Sequence, residues 1–242
     1  MDLVAEWLGR IDYHAAWARQ HELVRARADD TVGDTLLLLE HPAVLTLGRQ
    51  SDPAYVRASA DELARRGIDL VRTERGGEVT YHGPGQLVAY PIVHLAQRGV
   101  LLRPFVRALE AAMARTAAHY GVVAGRRDGH PGCWVDRDGA SPRKVGALGL
   151  RVERGVTYHG IALNITTRLT DFQLIDPCGM PDVEVTSIAR EAGWQLPGDA
   201  DTPTTESVEA AAAIFASAFR EALESAAGSG GSAPRRPALV GA

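Results

Sequence analysis

The sequence is short of cysteine and of long apolar runs, and each shortage excludes a class of protein. Its 242 residues include only two cysteines, Cys133 and Cys178. Two are too few for a disulfide scaffold or for a cysteine-based zinc site. No run approaches the ~18 apolar residues of a membrane span, and the N-terminus lacks a signal-peptide pattern. We therefore expect a reduced, cytoplasmic protein with no membrane partner.

Positive charge is also not in excess. The net charge is −4 and the pI is about 6.1, whereas nucleic-acid binders usually carry a basic balance. We expect no nucleic-acid partner. Hydrophobic residues make up 45% of the chain, which is enough to bury a substantial core without the help of a metal.

Lysine is the rarest charged residue. Of the 26 basic residues, 25 are arginine, and Lys144 is the single lysine. Arginine does not deprotonate in proteins, whereas a lysine shifts its pKa readily when buried. Chance survival of one surface lysine is the simpler explanation. Against it, Gly146 and Gly149 follow in the same predicted strand and leave room for a molecule against the backbone.

Hydrophobic periodicity predicts an α+β fold with a mixed, largely antiparallel main sheet and packed helices. Helices are predicted over residues 12–27, 61–66, 103–120, 183–192 and 202–224. Strands are predicted over residues 35–40, 44–47, 71–94 with glycine breaks, 133–135, 145–152 and 156–165. Strand 44–47 is expected to pair with strand 35–40. Residues 1–225 form one predicted domain, and the Gly/Ser/Pro-rich residues 226–242 form a predicted disordered tail.

Two local patterns suggest a binding site. Four glycines within residues 75–86 free the backbone to approach a ligand, although a glycine-rich hairpin without a ligand has the same composition. The pentapeptide Val-Thr-Tyr-His-Gly occurs at residues 79–83 and again at 156–160. If the two strands are neighbours, Thr80, His82, Thr157 and His159 line one polar patch. A repeated structural role explains the duplication equally well.

The two cysteines lie in different contexts. Cys178 stands between Pro177 and Gly179, which places it in a turn, whereas Cys133 lies next to Trp134 in a predicted strand. A buried, inert thiol is typical of the second setting. A lysine near Cys178 would stabilise its thiolate and then shuttle the proton. His159 is an alternative partner for the thiol.

At these residues the chain resembles a known family. Residues 75–90 read Arg-Gly-Gly-x-x-Thr-Tyr-His-Gly-Pro-Gly-Gln-x-x-x-Tyr. This pattern resembles the signature of the octanoyl-[acyl carrier protein]:protein N-octanoyltransferase, or lipoyl(octanoyl) transferase, family. The similarity continues through residues 144–149, 157–164 and 177–179. The resemblance implies a fold similar to the catalytic domain of biotin and lipoate protein ligases.

The resemblance also implies an acyl-enzyme mechanism in lipoate biosynthesis. Cys178 would take an octanoyl (or lipoyl) group from octanoyl-acyl carrier protein as a thioester, with Lys144 lowering the thiol pKa. The acceptors would be lysines in the lipoyl domains of 2-oxoacid dehydrogenase E2 subunits and in the glycine cleavage H protein. No cofactor is implied, because thioester to amide is downhill without ATP. The implied substrate-binding residues, with His159 as a supporting residue, are Arg75, Gly76, Gly77, Glu78, Val79, Thr80, Tyr81, His82, Ala147, Leu148, Gly149, Gly160, Ile161 and Ala162.

Three other classes share parts of this pattern. A lipoate or biotin ligase has the fold and a lysine but activates its acid with ATP. A cysteine-dependent amidase or hydrolase delivers the acyl group to water. A non-enzymatic acyl-binding protein keeps the pocket and uses neither Lys144 nor Cys178. A covalent octanoyl adduct on Cys178 separates all three from the transferase.

Overall fold

The computed structural model describes residues 2–176, 183–194 and 205–229. The strands are β1 (Val4–Arg10), β2 (Thr35–Glu40), β3 (Val44–Leu47), β4 (Asp69–Arg72), β5 (Val79–His82), β6 (Gln86–Ile92), β7 (Ala124–Arg127), β8 (His130–Val135), β9 (Arg143–Glu153), β10 (Val156–Asn164) and β11 (Glu184–Val185). The α-helices are α1 (Tyr13–Ala28), α2 (Ala60–Arg66), α3 (Leu95–Arg98), α4 (Leu102–His119), α5 (Ile188–Glu191) and α6 (Thr205–Ser229). Short 3₁₀ helices cover Pro53–Tyr55 and Leu169–Leu174.

Within those ranges the strands form two sheets. The main sheet has eight strands, in the order β1-β2-β6-β10-β9-β8-β7 with β11 beside β9. Its pairs are antiparallel except β1 with β2 and β11 with β9. The second sheet has three strands, β4-β3-β5. The predicted α+β class with a mixed, largely antiparallel main sheet is confirmed.

Local sequence signals explain where several elements begin and end. The Asp12 carboxylate caps α1 by accepting a hydrogen bond from the Ala15 amide at 3.0 Å. Gly67 ends α2 in the left-handed conformation with φ 64°. Arg154 and Gly155 form the tight turn between β9 and β10. Their φ angles are 49° and 82°, and a type I′ hairpin turn requires a positive φ at both of its central residues. The hairpin sets the register that builds the site.

Helices cover both faces of the main sheet. On one face, Phe105, Leu109 and Met113 of α4 pack with Phe215 and Phe219 of α6 in the largest core cluster. On the other face, α1 packs on β2, β6 and β10. The predicted inward residues of the last helix, Val208, Phe215, Phe219 and Leu223, are all fully buried. Among the described residues, no helix is long and apolar enough to cross a membrane.

The pairing predicted for strand 44–47 is wrong. β3 does not pair with β2; it pairs with β4 and β5 in the second sheet, with Val44 opposite Asp69 and His82. A buried run of four residues fits either sheet, because such a strand carries no pattern that names its partner. The duplicated pentapeptides therefore lie in different sheets. Thr157 was predicted to line a polar patch shared by the two pentapeptides. Its hydroxyl is instead buried and donates to the Pro91 carbonyl at 2.6 Å.

Three other predictions differ from the structure. β1 was not predicted, because its exposed and half-buried residues give no apolar alternation. The helix predicted over residues 183–192 is instead strand β11 followed by α5. Helix α6 continues to Ser229, which is past residue 226, where the disordered tail was predicted to begin. The predicted cap Thr202 and residues 230–242 lie outside the described residues.

Candidate active site

A cleft lies between the β9–β10 hairpin of the main sheet and strand β5 of the second sheet. Its empty space is about 510 Å³ when the part open to solvent at its mouth is counted. Two directly paired positions line it, Ala147 opposite Ala162 and Gly149 opposite Gly160. Because these four residues carry almost no side chain, the cleft floor is largely backbone.

Most of the sequence-predicted site residues line this one cleft. They come from the glycine-rich loop, β5, β9 and β10, which are distant in sequence. Those that line it are Arg75, Gly77, Glu78, Val79, Thr80, His82, Lys144, Ala147, Leu148, Gly149, His159, Gly160, Ile161 and Ala162.

Two of the predicted residues that the structure describes are not among the cleft-lining residues. Gly76 lines a neighbouring hollow on the outer side of the loop. The Tyr81 side chain points to the opposite side of β5, where its hydroxyl donates to Asp171 Oδ2 at 2.9 Å and its ring packs edge-on against Phe172. This follows from strand alternation, since Thr80 and His82 face the cleft. Cys178 lies outside the described residues.

Lys144 lies where β9 changes partners. Trp134 of β8 pairs with it on one side and Val185 of β11 on the other. The side chain is buried, with 7% of the residue exposed. Its amine lies 5.1 Å from the centroid of the Trp134 ring, within range of a cation–π interaction. The only lysine is thus held at the cleft by a rigid aromatic neighbour.

His82 is a neutral histidine in a buried hydrogen-bond network. Burial, with the nearby charge of Arg75 as a smaller cause, lowers the pKa of His82 to about 3. Its Nδ1 lies 2.8 Å from Gln86 Oε1, and its Nε2 lies 3.5 Å from the Thr46 hydroxyl. Since Gln86 Oε1 only accepts, Nδ1 carries the proton and Nε2 accepts. His82 is therefore an acceptor toward Thr46 and not a cation in the cleft.

His159 has a strained backbone. Its φ is +53° within strand β10. Residues other than glycine rarely adopt this backbone conformation, and those that do are found often at functional sites. Its amide donates to Gln20 Oε1 at 2.8 Å, and its Nε2 lies 3.7 Å from Glu74 Oε1. Burial lowers the pKa of His159, and the Glu74 carboxylate offsets part of that shift.

Comparison with known proteins identifies the chain's relatives. Residues 12–216 match the family described as the lipoyl protein ligase A/B catalytic domain. The octanoyltransferase of Chloroflexus aggregans is 50% identical over 191 residues, which is 78% of this chain and 85% of that protein. The chain belongs to the octanoyltransferase family. It is an acyltransferase, as the resemblance implied.

Solved structures with low sequence identity show the same fold. The bipartite lipoate protein ligase of Thermoplasma acidophilum superposes with a TM-score of 0.60 at 15% identity, covering 95% of this chain and 91% of that one. The biotin protein ligase of Aquifex aeolicus has a TM-score of 0.51 at 12% identity, covering 91% and 70%. The predicted similarity of this octanoyltransferase-family chain to biotin and lipoate ligase domains is confirmed.

Sequence reasoning missed three residues around this site. Tyr13 and Tyr90 line the cleft, and Glu74 lies beside it, with Oε1 3.7 Å from Nε2 of the cleft-lining His159. Glu74 Oε1 accepts from Trp17 Nε1 and lies 3.1 Å from His21 Nε2. Burial raises the pKa of Glu74, but the contacts from His159 and Trp17 more than offset this and lower it to about 2. Tyr90 is the last residue of the signature and Glu74 directly precedes its first residue. These positions were the only sequence signal that could have placed them at the site.

The described residues were also searched for metal ligands. Across residues 2–176, 183–194 and 205–229, no group of three or more histidine, cysteine, aspartate or glutamate side chains is arranged to hold a metal ion.

Proposed function

We propose that this acyltransferase moves an octanoyl (or lipoyl) group from octanoyl-acyl carrier protein, through a thioester on Cys178, to a lysine of a lipoyl domain. The main support for this proposal is the cleft. Its floor is largely backbone, and Lys144, the only lysine in the sequence of this octanoyltransferase-family chain, lines it at one end. An eight-carbon chain offers about six CH₂ groups, each worth ~0.8 kcal/mol when buried. The groove suits such a chain because glycine and alanine leave it space.

The state of Cys133 supports Cys178 as the nucleophile. Cys133 is fully buried, and burial raises the pKa of its thiol to about 12. The thiolate is the nucleophile in acyl transfer, so Cys133 is unreactive near neutral pH. Cys178 is the remaining cysteine in the sequence.

The pairing of Lys144 supports its assignment to the same site. Val185, seven residues after Cys178 in the sequence, pairs with Lys144 in β11. The segment that carries the thiol therefore rejoins the described structure beside the lysine. An ammonium group near a cysteine favours the thiolate.

The proposed reaction conserves protons at every step. The Cys178 thiol gives its proton to Lys144, and the thiolate attacks the donor carbonyl and expels the carrier thiolate, which takes a proton from Lys144. The acceptor lysine amine then attacks the Cys178 thioester. Its proton passes by way of Lys144 to the leaving Cys178 sulfur. Both steps exchange one acyl bond for another, so ATP is not consumed.

The proposed donor and acceptors are those that the sequence resemblance implies. The donor is octanoyl-acyl carrier protein. The acceptors are the lipoyl domains of 2-oxoacid dehydrogenase E2 subunits and the glycine cleavage H protein. The archaeal structural neighbour is described together with its E2 lipoyl domain, and that pairing is the precedent for a lipoyl-domain acceptor.

The test omits ATP and Mg²⁺. The full chain is incubated with octanoyl-acyl carrier protein, and intact mass is measured before and after addition of a lipoyl domain. We expect one octanoyl mass on the enzyme, lost as the same mass appears on the domain. Strict dependence on ATP would make the protein a ligase. Release of free octanoate in place of transfer would make it a hydrolase, and absence of any adduct with tight acyl binding would make it a binding protein.

A further inference from the structure

The cleft is closed at the end away from Lys144 by the backbone of the glycine-rich loop. The Gly76 amide donates to the Leu150 carbonyl at 3.1 Å. A Cβ atom at Gly149 would lie 2.6 Å from the Gly76 carbonyl oxygen, so the loop presses directly on β9. Gly149 is five residues beyond Lys144 in the same strand, or roughly 16 Å at ~3.3 Å per residue. An acyl chain that starts near Lys144 and follows the floor runs toward this end wall, in which Gly77 lines the cleft and Gly76 lines only the hollow on the other side.

Arg75 fixes the end wall. Its Nη1 donates to the Gly76 carbonyl at 3.1 Å. Its Nε and Nη2 donate to the Thr46 hydroxyl at 3.1 and 2.9 Å, and Nη2 also donates to the Thr46 carbonyl at 2.6 Å. A planar guanidinium held by several hydrogen bonds has little freedom to move. The position of the wall therefore depends on the position of Thr46.

The Thr46 hydroxyl joins the end wall to the inner network. Thr46 lies in β3, is fully buried, and is outside the cleft lining. Its hydroxyl accepts from Arg75 and donates toward His82 Nε2 at 3.5 Å. His82 binds Gln86, whose Nε2 donates to Asn164 Oδ1 at 2.9 Å. One hydroxyl thus uses its donor and its acceptor in a single buried network.

Space for a longer chain exists beyond the wall. A second hollow of about 950 Å³, counting the space open to solvent, lies on the outer side of the loop. Apolar Leu102, Leu150 and Val152 contribute to its lining. The rest of the lining is Gly76, Gly77, Gln50 and the charged residues Arg49, Glu74, Arg75, Glu78 and Arg151. If the loop were free to move outward, the methyl end of a longer acyl group would enter this hollow.

We propose that Thr46 is a specificity-determining positioning residue: its hydroxyl fixes Arg75 and the Gly76–Gly77 wall, and so limits the length of the acyl chain. The proposal rests on the proposed function, in which the acyl chain occupies the cleft. Thr46 touches neither the acyl chain nor the reacting atoms, and it acts through Arg75.

The test compares two substitutions of Thr46. Thr46→Val keeps the branched shape and removes the hydroxyl, whereas Thr46→Ser keeps the hydroxyl and removes the methyl group. The value of kcat/KM is measured for hexanoyl, octanoyl, decanoyl and dodecanoyl carrier protein with one lipoyl-domain acceptor. We expect the dodecanoyl-to-octanoyl ratio of Thr46→Val to rise about tenfold, equivalent to ~1.4 kcal/mol. Thr46→Ser should keep the wild-type ratio.

The remaining outcomes overturn the proposal. An unchanged ratio in Thr46→Val, or an equal loss at every chain length, would show that the hydroxyl does not set the length limit. If Thr46→Val does not fold, Arg75→Lys is judged on the same ratio, because it keeps the charge and loses the planar fork. The wild-type enzyme separates the two hypotheses. Failure of wild type to transfer octanoyl from the carrier contradicts the proposed function, whatever the Thr46 variants do.

Discussion

The Lys144 amine lies 5.1 Å from the centroid of the Trp134 ring, and Trp134 pairs with Lys144 across β8 and β9. The indole is itself fixed, since it is buried and its Nε1 donates to the His130 carbonyl at 3.0 Å. Lys144 is itself buried, so little of it reaches solvent. If Lys144 carries the proton in the proposed reaction, its place over Trp134 sets where that proton is taken and released.

The first prediction separates the charge of Lys144 from its proton. Lys144→Arg keeps a positive charge but does not deprotonate, and Lys144→Met removes the charge while nearly keeping the stem. Thiol alkylation at pH 6.5 and octanoyl transfer are measured in parallel. We expect the wild-type Cys178 thiol to be alkylated far faster than an ordinary cysteine. Lys144→Arg should keep part of that rate, because a cation still favours the thiolate, and Lys144→Met should lose it. Both variants should lose transfer by at least a hundredfold.

One result would remove Lys144 from the mechanism. If Lys144→Met behaves as wild type in both assays, the proton must pass through another group. His159 is then the next candidate, since it also lines the cleft.

The second prediction concerns the two cysteines. Cys178→Ser should abolish the octanoyl adduct and the transfer activity, because a serine hydroxyl is a far weaker nucleophile than a thiolate. Cys133→Ser is the matched control and should form the adduct at the wild-type level, although its buried hydroxyl lowers stability by about 1–3 kcal/mol. Intact mass and peptide mapping locate the adduct. An adduct on Cys133 would show that the wrong nucleophile was assigned.

Elements with a strong local signal were predictable from the sequence. Helix α1 follows its cap Asp12, α2 ends at Gly67, and the β9–β10 hairpin turns at Arg154 and Gly155, where it was expected. These positions depend on residues close in sequence. The signature of residues 75–90 and the two strands that share its pentapeptide also pointed to one site.

Features that depend on distant residues were not predictable. The partner of β3 depends on which sheet has a free edge, and four buried residues do not encode that choice. Glu74 shows no motif of its own; its place at the site depends on Trp17 and His21 of α1, more than fifty residues earlier in the chain. Thr46 becomes informative only through its contact with Arg75.

The third prediction tests the contact between β9 and the glycine-rich loop. In Gly149→Ala the new Cβ would lie 2.6 Å from the Gly76 carbonyl oxygen, which is backbone and must move. The new Cβ would also lie 3.4 Å from Cδ of the Arg75 side chain, which lines the cleft. We expect kcat/KM for octanoyl transfer to fall at least tenfold, with a melting temperature lowered by a few degrees at most.

A matched substitution controls for the loss of glycine itself. Gly33→Ala adds a Cβ with no heavy atom within 4 Å and no positive φ, so it should leave activity and melting temperature unchanged. Equal activities for the two variants would mean that the loop does not press on the groove.

The last prediction concerns stability at low pH and rests on His41, which lies outside the cleft lining. Its Nδ1 donates to the Ile11 carbonyl at 2.8 Å, and its Nε2 accepts from the Tyr90 hydroxyl at 2.8 Å. Burial lowers the pKa of His41 from 6.5 to about 4, although the Ile11 contact opposes the shift. The folded state therefore binds fewer protons than the unfolded state between these values, and stability rises with pH across that window.

The stability that neutral His41 contributes is fully present above pH 6.5 and is lost as the pH falls toward 4. His41→Gln removes the titrating group and with it the stability that neutral His41 contributes. The variant should therefore be less stable than wild type at pH 7.5. The difference should shrink by up to about 3 kcal/mol on acidification to pH 4. Urea unfolding at a series of pH values measures it. Tyr90→Phe keeps the titrating histidine and removes only one hydrogen bond, so its deficit should change far less over the same window. A His41→Gln deficit that stays constant from pH 7.5 to 4 would contradict a neutral, buried His41.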